Sequence, residues 1–501
     1  MLKSTHEVIN QSLPLINYNV YKSDKSLQRI LEKLLDKSTY NKVTNYLSIY
    51  GKTVGSEEML IHADIAEKNK PILKQYDSYG RRIDIVNYHP SYHILMKNGL
   101  TIGSAAYGYN NHYIGSHITR GALIYMENQL EPGHCCPIVM TSAAIPVLKK
   151  LSNVLPDIWL NKILIQDYDS SNQPIDLKSS ITIGMSMTEK QGGSDVRANT
   201  TMAKPLDSTT TQPGKTYTLT GHKWFTSAPM SDGFLTLAQL EGSNSNAPSC
   251  FLVPRYLPDG RRNNGFQIAQ LKDKCADRSN ASSEIEYNNC FAILLSDPGK
   301  GVRTIIDMVQ STRMDCALGS SGGMKKALHI AINHANQRLI NNKKLTTYPL
   351  MLNLLTDLTI ESEANTVTSI YISYLYDIYQ KSLDNKIDNN SDSSELFRIA
   401  VSVAKYYITK RQPNFVFECM EIFGGNGFIE EFPMAKLFRH SPLNSIWEGS
   451  GNVISLDILK ALKSLPLLMA DIKLCYGSNS HLDSYIDKLD NYIAKLLVNE
   501  D

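Results

Sequence analysis

A single glutamate, Glu448, stands between an apolar pair and a glycine-bearing turn in the stretch SPLNSIWEGSGNVISL, residues 441–456. The apolar pair is Ile446 and Trp447, and the turn reads Gly-Ser-Gly-Asn. Burial beside an indole raises the pKa of a carboxyl group toward neutrality, where the group can abstract a proton. Glycines let the backbone approach a planar ligand, and free N–H groups in such a turn can hold an oxyanion. A surface carboxylate at a helix end is the simpler interpretation of these residues alone.

Two further motifs carry donors and an aromatic ring that suit a flat heteroaromatic ligand. MTEKQGGSDV, residues 187–196, follows a predicted strand with a loop whose N–H and hydroxyl groups can bond a ring edge or a phosphate. It has neither the G-x-x-x-x-G-K nor the G-x-G-x-x-G spacing. GHKWFTS, residues 221–227, places a tryptophan and a threonine where they could pack on a flavin and bond its edge. A β-turn and a buried core tryptophan are the simpler alternatives.

A third motif, FGGNGF at residues 423–428, has three glycines in four positions at the end of a predicted helix. A helix stop accounts for one glycine. The other two indicate close approach of the backbone, by another helix or by a phosphate, and the spacing leaves both open. We expect no metal site, because the histidines at positions 222, 329, 334 and 440 have no metal-binding spacing and are interpreted as structural.

The elements that must position these motifs fall into three regions. Residues 1–180 have apolar residues at three- and four-residue steps and predict helices, with an interruption at Pro132–Gly133. Residues 181–298 contain short strand-like runs separated by turns, which predict a β-barrel or sandwich. Residues 299–501 predict helices again, with a small-residue break inside DCALGSSGGMKKALH and an exposed polar loop at DNKIDNNSDSS. The order helical, β, helical predicts an α+β fold.

Composition indicates an ordinary globular protein. The 501 residues carry a formal net charge of +2, which gives no electrostatic reason to expect nucleic acid or an anionic membrane as a partner. The eight cysteines form no C-x-x-C pair, which favours reduced thiols in the cytoplasm. The N-terminal residues show no signal or transit pattern, and no apolar run is long enough to span a bilayer. We therefore expect a cytoplasmic protein without a membrane partner.

Taken in order, MTEKQGGSDV, GHKWFTS, FGGNGF and IWEGSGN resemble the acyl-CoA dehydrogenase superfamily. The stretches RRIDIVNYHPSYH, CCPIVMTSAAIPVL and LKDKCADRSNASSEIEY are most similar to its AidB-like branch of adaptive-response flavoproteins. The likeness covers roughly residues 8–465. It implies non-covalent FAD and a homotetramer built as a dimer of dimers. The implied domains are an N-terminal helical domain (1–180), a middle β-barrel domain (181–298) and a C-terminal four-helix bundle (299–501).

The resemblance also assigns roles to residues of this chain. Glu448 matches the base that removes the α-proton of an acyl-CoA thioester, while the β-hydrogen leaves as hydride to the flavin. The electrons then pass to an acceptor of unknown identity. The residues implied to contact the cofactor lie in the four motifs, just before the first of them (Met185), and at one arginine: Met185, Met187, Thr188, Gly193, Ser194, Trp224, Phe225, Thr226, Arg338, Gly424, Gly425, Gly427, Ile446, Ser450 and Asn452. The three glycines of FGGNGF would admit the FAD pyrophosphate of a neighbouring subunit.

Two departures from the family pattern keep alternatives open. Ser455 stands seven residues after the base, where many dehydrogenases carry an arginine for CoA. Asn341–Asn342 follow Arg338, where a Phe-Gly pair facing FAD is frequent. One alternative is a flavoprotein of the alkylation or stress response with weak dehydrogenase activity. Another is an acyl-CoA-binding protein with slow turnover.

The AidB-like resemblance further implies DNA binding through a basic C-terminal region. Residues 460–501 carry five lysines, no arginine and six acidic residues. This balance lacks the positive charge needed to neutralise phosphates along a duplex. We therefore expect no tight binding to DNA.

Overall fold

The computed structural model describes residues 5–206, 211–242, 247–383 and 391–498. Most of the predicted polar loop, residues 384–390, lies outside these ranges. Within them, every helix is too short or too polar to cross a bilayer. All eight cysteines have free thiols.

The N-terminal region consists mainly of helices, several of which begin at a capping side chain. Asp24, Asp36 and Ser56 each accept a hydrogen bond from a first-turn backbone N–H, which satisfies donors left free at a helix start. The predicted interruption near Pro132 is confirmed, because one helix ends at Leu130 and the next begins at Cys135. The helices are α1 (Val20–Ser23), α2 (Lys25–Leu34), α3 (Lys37–Val54), α4 (Glu57–Lys68), α5 (Pro90–Thr101), α6 (Tyr107–Asn110), α7 (Ser116–Leu130), α8 (Cys135–Lys150) and α9 (Asp157–Ile163).

A β-hairpin in this region was not predicted from the sequence. Strands β1 (Ile72–Tyr76) and β2 (Arg82–Asn87) pair antiparallel. The Asp77 carboxylate closes the turn by accepting hydrogen bonds from the backbone N–H groups of Tyr79 (2.8 Å) and Arg81 (2.9 Å). The Gln75 side chain donates to the Ile268 carbonyl at 2.9 Å. The hairpin therefore connects the N-terminal region to the middle region.

The middle region is a closed β-barrel, which resolves the choice between barrel and sandwich. Its strands are β3 (Ile183–Ser186), β4 (Met202–Pro205), β5 (Thr216–Ser227), β6 (Gly233–Leu240), β7 (Ser249–Pro254), β8 (Phe266–Leu271) and β9 (Ser282–Leu294). The sheet runs β3-β6-β4-β5-β9-β7, and β6 also pairs with β7, so the sheet closes on itself. The runs TYTLTGHKWFTS and GFLTLAQL coincide with β5 and β6. Apolar side chains from these strands fill the barrel interior.

The C-terminal region begins with one continuous helix, α10 (Gly301–Ala335), so the predicted small-residue break is wrong. The small residues allow α7 to pack closely instead. A Cβ atom at Gly322 would lie 2.3 Å from the Tyr125 carbonyl oxygen, and one at Gly319 would lie 2.8 Å from the Asn128 side chain. Such distances leave no room for a side chain.

Two more long helices and several short ones complete this region. A hairpin of β10 (Leu339–Ile340) and β11 (Lys343–Lys344) follows α10, and its turn residues Asn341 and Asn342 have φ of +48° and +59°. Asparagine tolerates this left-handed backbone. The remaining helices are α11 (Pro349–Leu383), α12 (Ser391–Glu421), α13 (Pro433–His440), α14 (Gly451–Lys460), α15 (Leu465–Ile472) and α16 (Ser480–Val498). In the described residues α10, α11 and α12 pack together, and α14 and α15 pack on α12.

Candidate active site

Glu448 lies in the turn between α13 and α14, and its backbone has a φ of +57°. A residue with a side chain rarely adopts this left-handed conformation, and such outliers concentrate at functional sites. Gly449 follows with a φ of +101°. A Cβ atom at Gly449 would lie 3.2 Å from Nη2 of Arg313. The turn thus requires glycine at position 449 and directs the Glu448 side chain toward α10.

Two consecutive residues of α10 hold this glutamate. The Thr312 hydroxyl donates to Glu448 Oε2 at 2.7 Å, and Arg313 Nε donates to the Glu448 carbonyl oxygen at 3.0 Å. The Arg313 guanidinium also pairs with Asp457 of α14 at 2.7 Å. These contacts fix the carboxylate and the backbone of Glu448 relative to two helices.

A lysine from α12 holds the turn from the other side. Lys405 Nζ donates to the carbonyl oxygen of Trp447 at 3.0 Å and also to that of Gly449. Burial lowers the pKa of Lys405. The residues on either side of Glu448 are therefore anchored to a second long helix.

The electrostatic surroundings act on the Glu448 carboxyl in opposite directions. Burial raises its pKa above the ordinary value for glutamate. The hydrogen bond from Thr312 and the charges of Arg313 and Lys405 oppose this change without cancelling it. The result is a carboxyl group that is more basic than an exposed glutamate and is suited to proton abstraction.

The indole next to Glu448 joins this turn to the barrel. Trp447 packs against an apolar cluster that contains Cys136 and Met140 of α8, and Met185 of β3 packs against the same cluster. Nε1 of Trp447 donates to Asn444 Oδ1 at 2.8 Å, which fixes the plane of the ring. The structure thus brings the IWEGSGN motif close to β3, the strand that leads into MTEKQGGSDV.

The first and second motifs lie side by side at the end of the barrel. The Trp224 backbone N–H donates to the Thr188 carbonyl at 2.7 Å. The Trp224 indole is half-buried, and Lys272 Nζ lies 3.0 Å from its ring centroid. The neighbouring Phe225 is 51% exposed. Lys272 also pairs with Glu284 at 2.7 Å. A cation therefore covers one face of this indole.

Comparisons with known proteins match these regions to described domains. The AidB N-terminal domain of adaptive response proteins matches residues 10–170. The middle domain of acyl-CoA dehydrogenases matches residues 184–290, and the C-terminal domain matches residues 299–463. AidB of Escherichia coli (strain K12) is 37% identical over 98% of this chain and 87% of its own length. The chain belongs to the acyl-CoA dehydrogenase family.

Two further similarities come from Caenorhabditis elegans. Acyl-CoA dehydrogenase family member 11 is 28% identical over 88% of this chain and 70% of its own length. The crystal structure of ACDH-11 in complex with C11-CoA superposes with a TM-score of 0.88 at 25% identity, covering 99% of this chain and 84% of that one. The helical N-terminal region, the middle barrel and the helical C-terminal region are the fold of this family.

Members of the acyl-CoA dehydrogenase family bind FAD, and the residues predicted to contact it occupy two places. Met185 packs near Trp447, and Met187, Thr188, Trp224 and Phe225 lie at the same end of the barrel. The loop that carries Gly193 and Ser194 is exposed. Ile446, Ser450 and Asn452 flank the base, the last two at the N-terminus of α14.

Thr226, predicted to bond the flavin edge, is completely buried, and its hydroxyl lies 2.5 Å from that of Ser186. If Ser186 donates in this contact, the Thr226 hydroxyl still has its own proton to donate to a flavin.

The second place is the far end of the bundle, where Arg338 and the FGGNGF glycines lie. His334, one turn before Arg338, stacks on Phe423 at 4.1 Å between ring centroids. A Cβ atom at Gly427 would lie 2.2 Å from the Met420 carbonyl, so packing within the chain explains that glycine. Gly424 has a φ of +58°, and in the part of the chain that the structure describes a Cβ atom at Gly425 would meet nothing within 4 Å. Open space at Gly425 suits a group from outside the chain.

Sequence reasoning missed Thr312, Arg313, Lys405 and Lys272. Thr312 and Arg313 precede the small-residue stretch of α10, and Lys272 lies in the quoted stretch LKDKCADRSNASSEIEY. The only sequence feature that could have indicated these three residues is their position beside or within those stretches. Lys405 lies within a helix of ordinary composition, and no pattern distinguishes it.

Proposed function

We propose that this protein is an FAD-dependent acyl-CoA dehydrogenase in which Glu448 is the base. The observation that carries the proposal is the Glu448 carboxylate, which is held by Thr312 beside an apolar cluster that reaches β3. In the described residues no hydrogen bond involves Oε1 of Glu448, so this oxygen is the one that takes the proton. The α-carbon of an acyl thioester would lie against it.

The residues present fit the cofactor that the family binds. Lys272 covers one face of the half-buried Trp224 indole, and a planar ring would pack on the other face. The open space at Gly425 suits a pyrophosphate that approaches the backbone. Ser450 begins α14 without capping it through its side chain, so first-turn N–H groups are left for a ligand. When FAD is bound, its chemistry is to accept the hydride from the β-carbon.

The chain itself carries out the remaining steps. Glu448 removes the α-proton, and negative charge develops on the thioester oxygen. The Glu448 backbone N–H makes no hydrogen bond within the described residues and is available to that oxygen. Thr312 and Arg313 hold the base in position, and the apolar cluster around Cys136 and Trp447 excludes water from the reacting carbons.

One observation supports a second candidate, an AidB-like flavoprotein or acyl-CoA-binding protein with weak turnover. The hydroxyl of Ser455 donates to the Gly451 carbonyl at 3.0 Å within its own helix. It therefore does not replace the arginine that many family members direct to CoA. Weak retention of the CoA half would lower turnover while the base is intact.

Anaerobic titration of the FAD-loaded protein with acyl-CoA thioesters of increasing length tests the proposal. The panel should include a C11 thioester, because ACDH-11 is described in complex with C11-CoA. Bleaching of the flavin band supports a dehydrogenase, whereas a spectral shift without bleaching supports binding with little turnover. A spectrum unchanged by every thioester would contradict both. Light scattering of the same sample tests the proposed homotetramer, and the pattern of electron acceptors that restore the oxidised spectrum identifies the acceptor class.

A further inference from the structure

A buried polar cluster lies away from Glu448, where the three regions of the chain meet. Glu67 comes from α4, Glu131 follows α7, His440 ends α13, and Asp277 lies between β8 and β9. Their exposed fractions are 3%, 0%, 7% and 4% in that order. Charged groups are rarely buried this deeply without a counter-charge or a metal ion.

Three of these residues bring potential ligand atoms close together. One potential ligand atom from each of Glu67, Glu131 and His440 lies within 4.8 Å of the other two. Glu67 Oε1 and His440 Nε2 are 3.7 Å apart, which is too long for a hydrogen bond. Both atoms are buried without any hydrogen-bond partner among the described residues. Atoms that bind one zinc ion at about 2 Å lie about 3–4 Å from each other, and the 3.7 Å between Glu67 Oε1 and His440 Nε2 is in this range.

The surrounding contacts point these free atoms at the same position. His440 Nδ1 contacts the Asp277 carboxylate, which fixes the ring. With the proton on Nδ1 and shared with this carboxylate, the lone pair on Nε2 would be free for a metal ion, as outer-sphere carboxylates arrange for metal-binding histidines. Glu67 Oε2 accepts a hydrogen bond from the Arg278 backbone N–H at 2.7 Å, which leaves Oε1 without a donor. Residues of the middle region thus orient Glu67 of the N-terminal region and His440 of the C-terminal region.

Glu131 supplies a fixed negative charge. Its carboxylate accepts hydrogen bonds from the backbone N–H groups of Gly133 and His134, both at 2.8 Å, and from the His134 ring at 2.9 Å. The Ser279 hydroxyl donates at 3.0 Å and is the contact that a cation would displace. A hydroxyl can turn away at little cost because it rotates freely.

We propose that Glu67, Glu131 and His440 bind one divalent transition-metal ion of the zinc class. Two carboxylates and one imidazole form a mixed oxygen and nitrogen set of the kind that such ions accept. The ion would join the N-terminal and C-terminal regions, with Asp277 of the middle region orienting His440, and would stabilise their arrangement. An adjoining cavity of about 370 Å³, lined by Glu67 and Arg439 among others, would be the path of entry.

The first test uses the full-length, FAD-loaded wild-type protein. After treatment with a chelator, it is dialysed against Zn²⁺, and bound zinc is measured by mass spectrometry. We expect one Zn²⁺ per chain and, with Co²⁺ as the probe, visible d–d absorption of a nitrogen- and oxygen-ligated ion. Crystals soaked in Zn²⁺ should show an anomalous peak between Glu67, Glu131 and His440. The absence of bound zinc, or a peak only elsewhere, would overturn the proposal.

Variants identify the ligands in solution. Glu67→Gln and His440→Asn should each weaken Zn²⁺ binding on the order of 100-fold or more, because loss of an outer-sphere partner alone costs about 10–100-fold. Asp277→Asn should fall in that smaller range. The matched controls are Glu58→Gln, an exposed glutamate of α4, and His481→Asn, an exposed histidine of α16, and both should bind as wild type does. If a ligand variant does not fold, the crystal soak decides. Unchanged binding in folded Glu67→Gln and His440→Asn would overturn the assignment.

Discussion

The hydroxyl of Thr312 donates to the carboxylate of Glu448 at 2.7 Å, although Thr312 lies in α10 and Glu448 in the turn between α13 and α14. This contact joins the base to the start of the buried part of α10. It stabilises the ionised carboxyl, while burial favours the protonated form. The balance between the two determines the pH at which the base works.

Replacing Glu448 by glutamine should abolish the proposed chemistry and leave FAD bound. Removal of a positioned base costs about 10²–10⁴-fold in rate. Stopped-flow measurement of flavin reduction by an acyl-CoA checks this, with Glu421→Gln, an exposed glutamate at the end of α12, as the control. Reduction of Glu448→Gln at the wild-type rate would exclude Glu448 as the base.

Thr312→Val should shift the pH dependence of flavin reduction to higher pH. The hydroxyl stabilises the ionised carboxyl, so its loss raises the pKa of Glu448 further. A hydrogen bond to a charged group contributes about 1.5 kcal/mol or more, so reduction on the acidic side should slow roughly tenfold. Thr312→Ser, which keeps the hydroxyl, is the control. An identical pH profile for the valine variant would show that the contact does not tune the base.

The raised pKa of Glu448 also predicts how stability changes with pH. The folded state binds the proton more tightly than the unfolded state, so stability falls as pH rises from the ordinary glutamate value through the raised one. Glu448→Gln carries no charge at any pH and escapes this loss. Urea unfolding at about pH 5 and about pH 8 should therefore show the variant gaining stability relative to wild type at the higher pH. A difference that is independent of pH would contradict the assigned direction.

Gly425→Ala should weaken FAD binding without changing the stability of the FAD-free protein. A Cβ atom at this position meets nothing within 4 Å among the described residues, so they give no steric reason to reject it. A pyrophosphate that contacts the backbone would be displaced by the methyl group. Fluorescence titration with FAD and thermal unfolding of the FAD-free form measure the two effects, with Glu421→Ala as the control. Wild-type FAD affinity would remove Gly425 from the cofactor site.

Asp315→Asn should destabilise the protein by about 3–5 kcal/mol, because it leaves the buried Arg120 guanidinium without its counter-charge. The two side chains pair at 2.8 Å between Nη2 and Oδ2, and each is 1% exposed. Glu361→Gln breaks the more exposed pair with Arg411, at 2.7 Å, and should cost less than about 1 kcal/mol. Denaturant unfolding of both variants checks the contrast. Equal losses would show that burial is not what makes the first pair important.

The fold could be predicted from the sequence where hydrophobic periodicity and turn residues agree. The strands β5 and β6 coincide with predicted runs because Gly- and Asn-rich turns bound them. The uninterrupted helix α10 was not predicted. A run of small residues indicates a helix break as long as the helix that packs against it, α7, is unknown. The β1–β2 hairpin was missed although Asp77 and Gly80 mark its turn.

The candidate site was only partly predictable. Glu448 stood out through its neighbours in sequence, whereas Thr312 and Lys405 meet it only after the helices pack. No local sequence pattern predicts contacts between residues so far apart in the chain. The same holds for His440, which spacing marked as structural and which the fold brings beside two glutamates.

The left-handed backbone at Glu448 restricts which amino acids this position can accept. Asparagine or glycine would keep the turn intact while removing the carboxylate, since both tolerate a positive φ. A β-branched residue would instead distort the turn itself. Glu448→Asn and Glu448→Gly are therefore the substitutions with which to build an inert form that still captures thioesters, for instance as an affinity reagent for isolating the natural substrate from cell extracts.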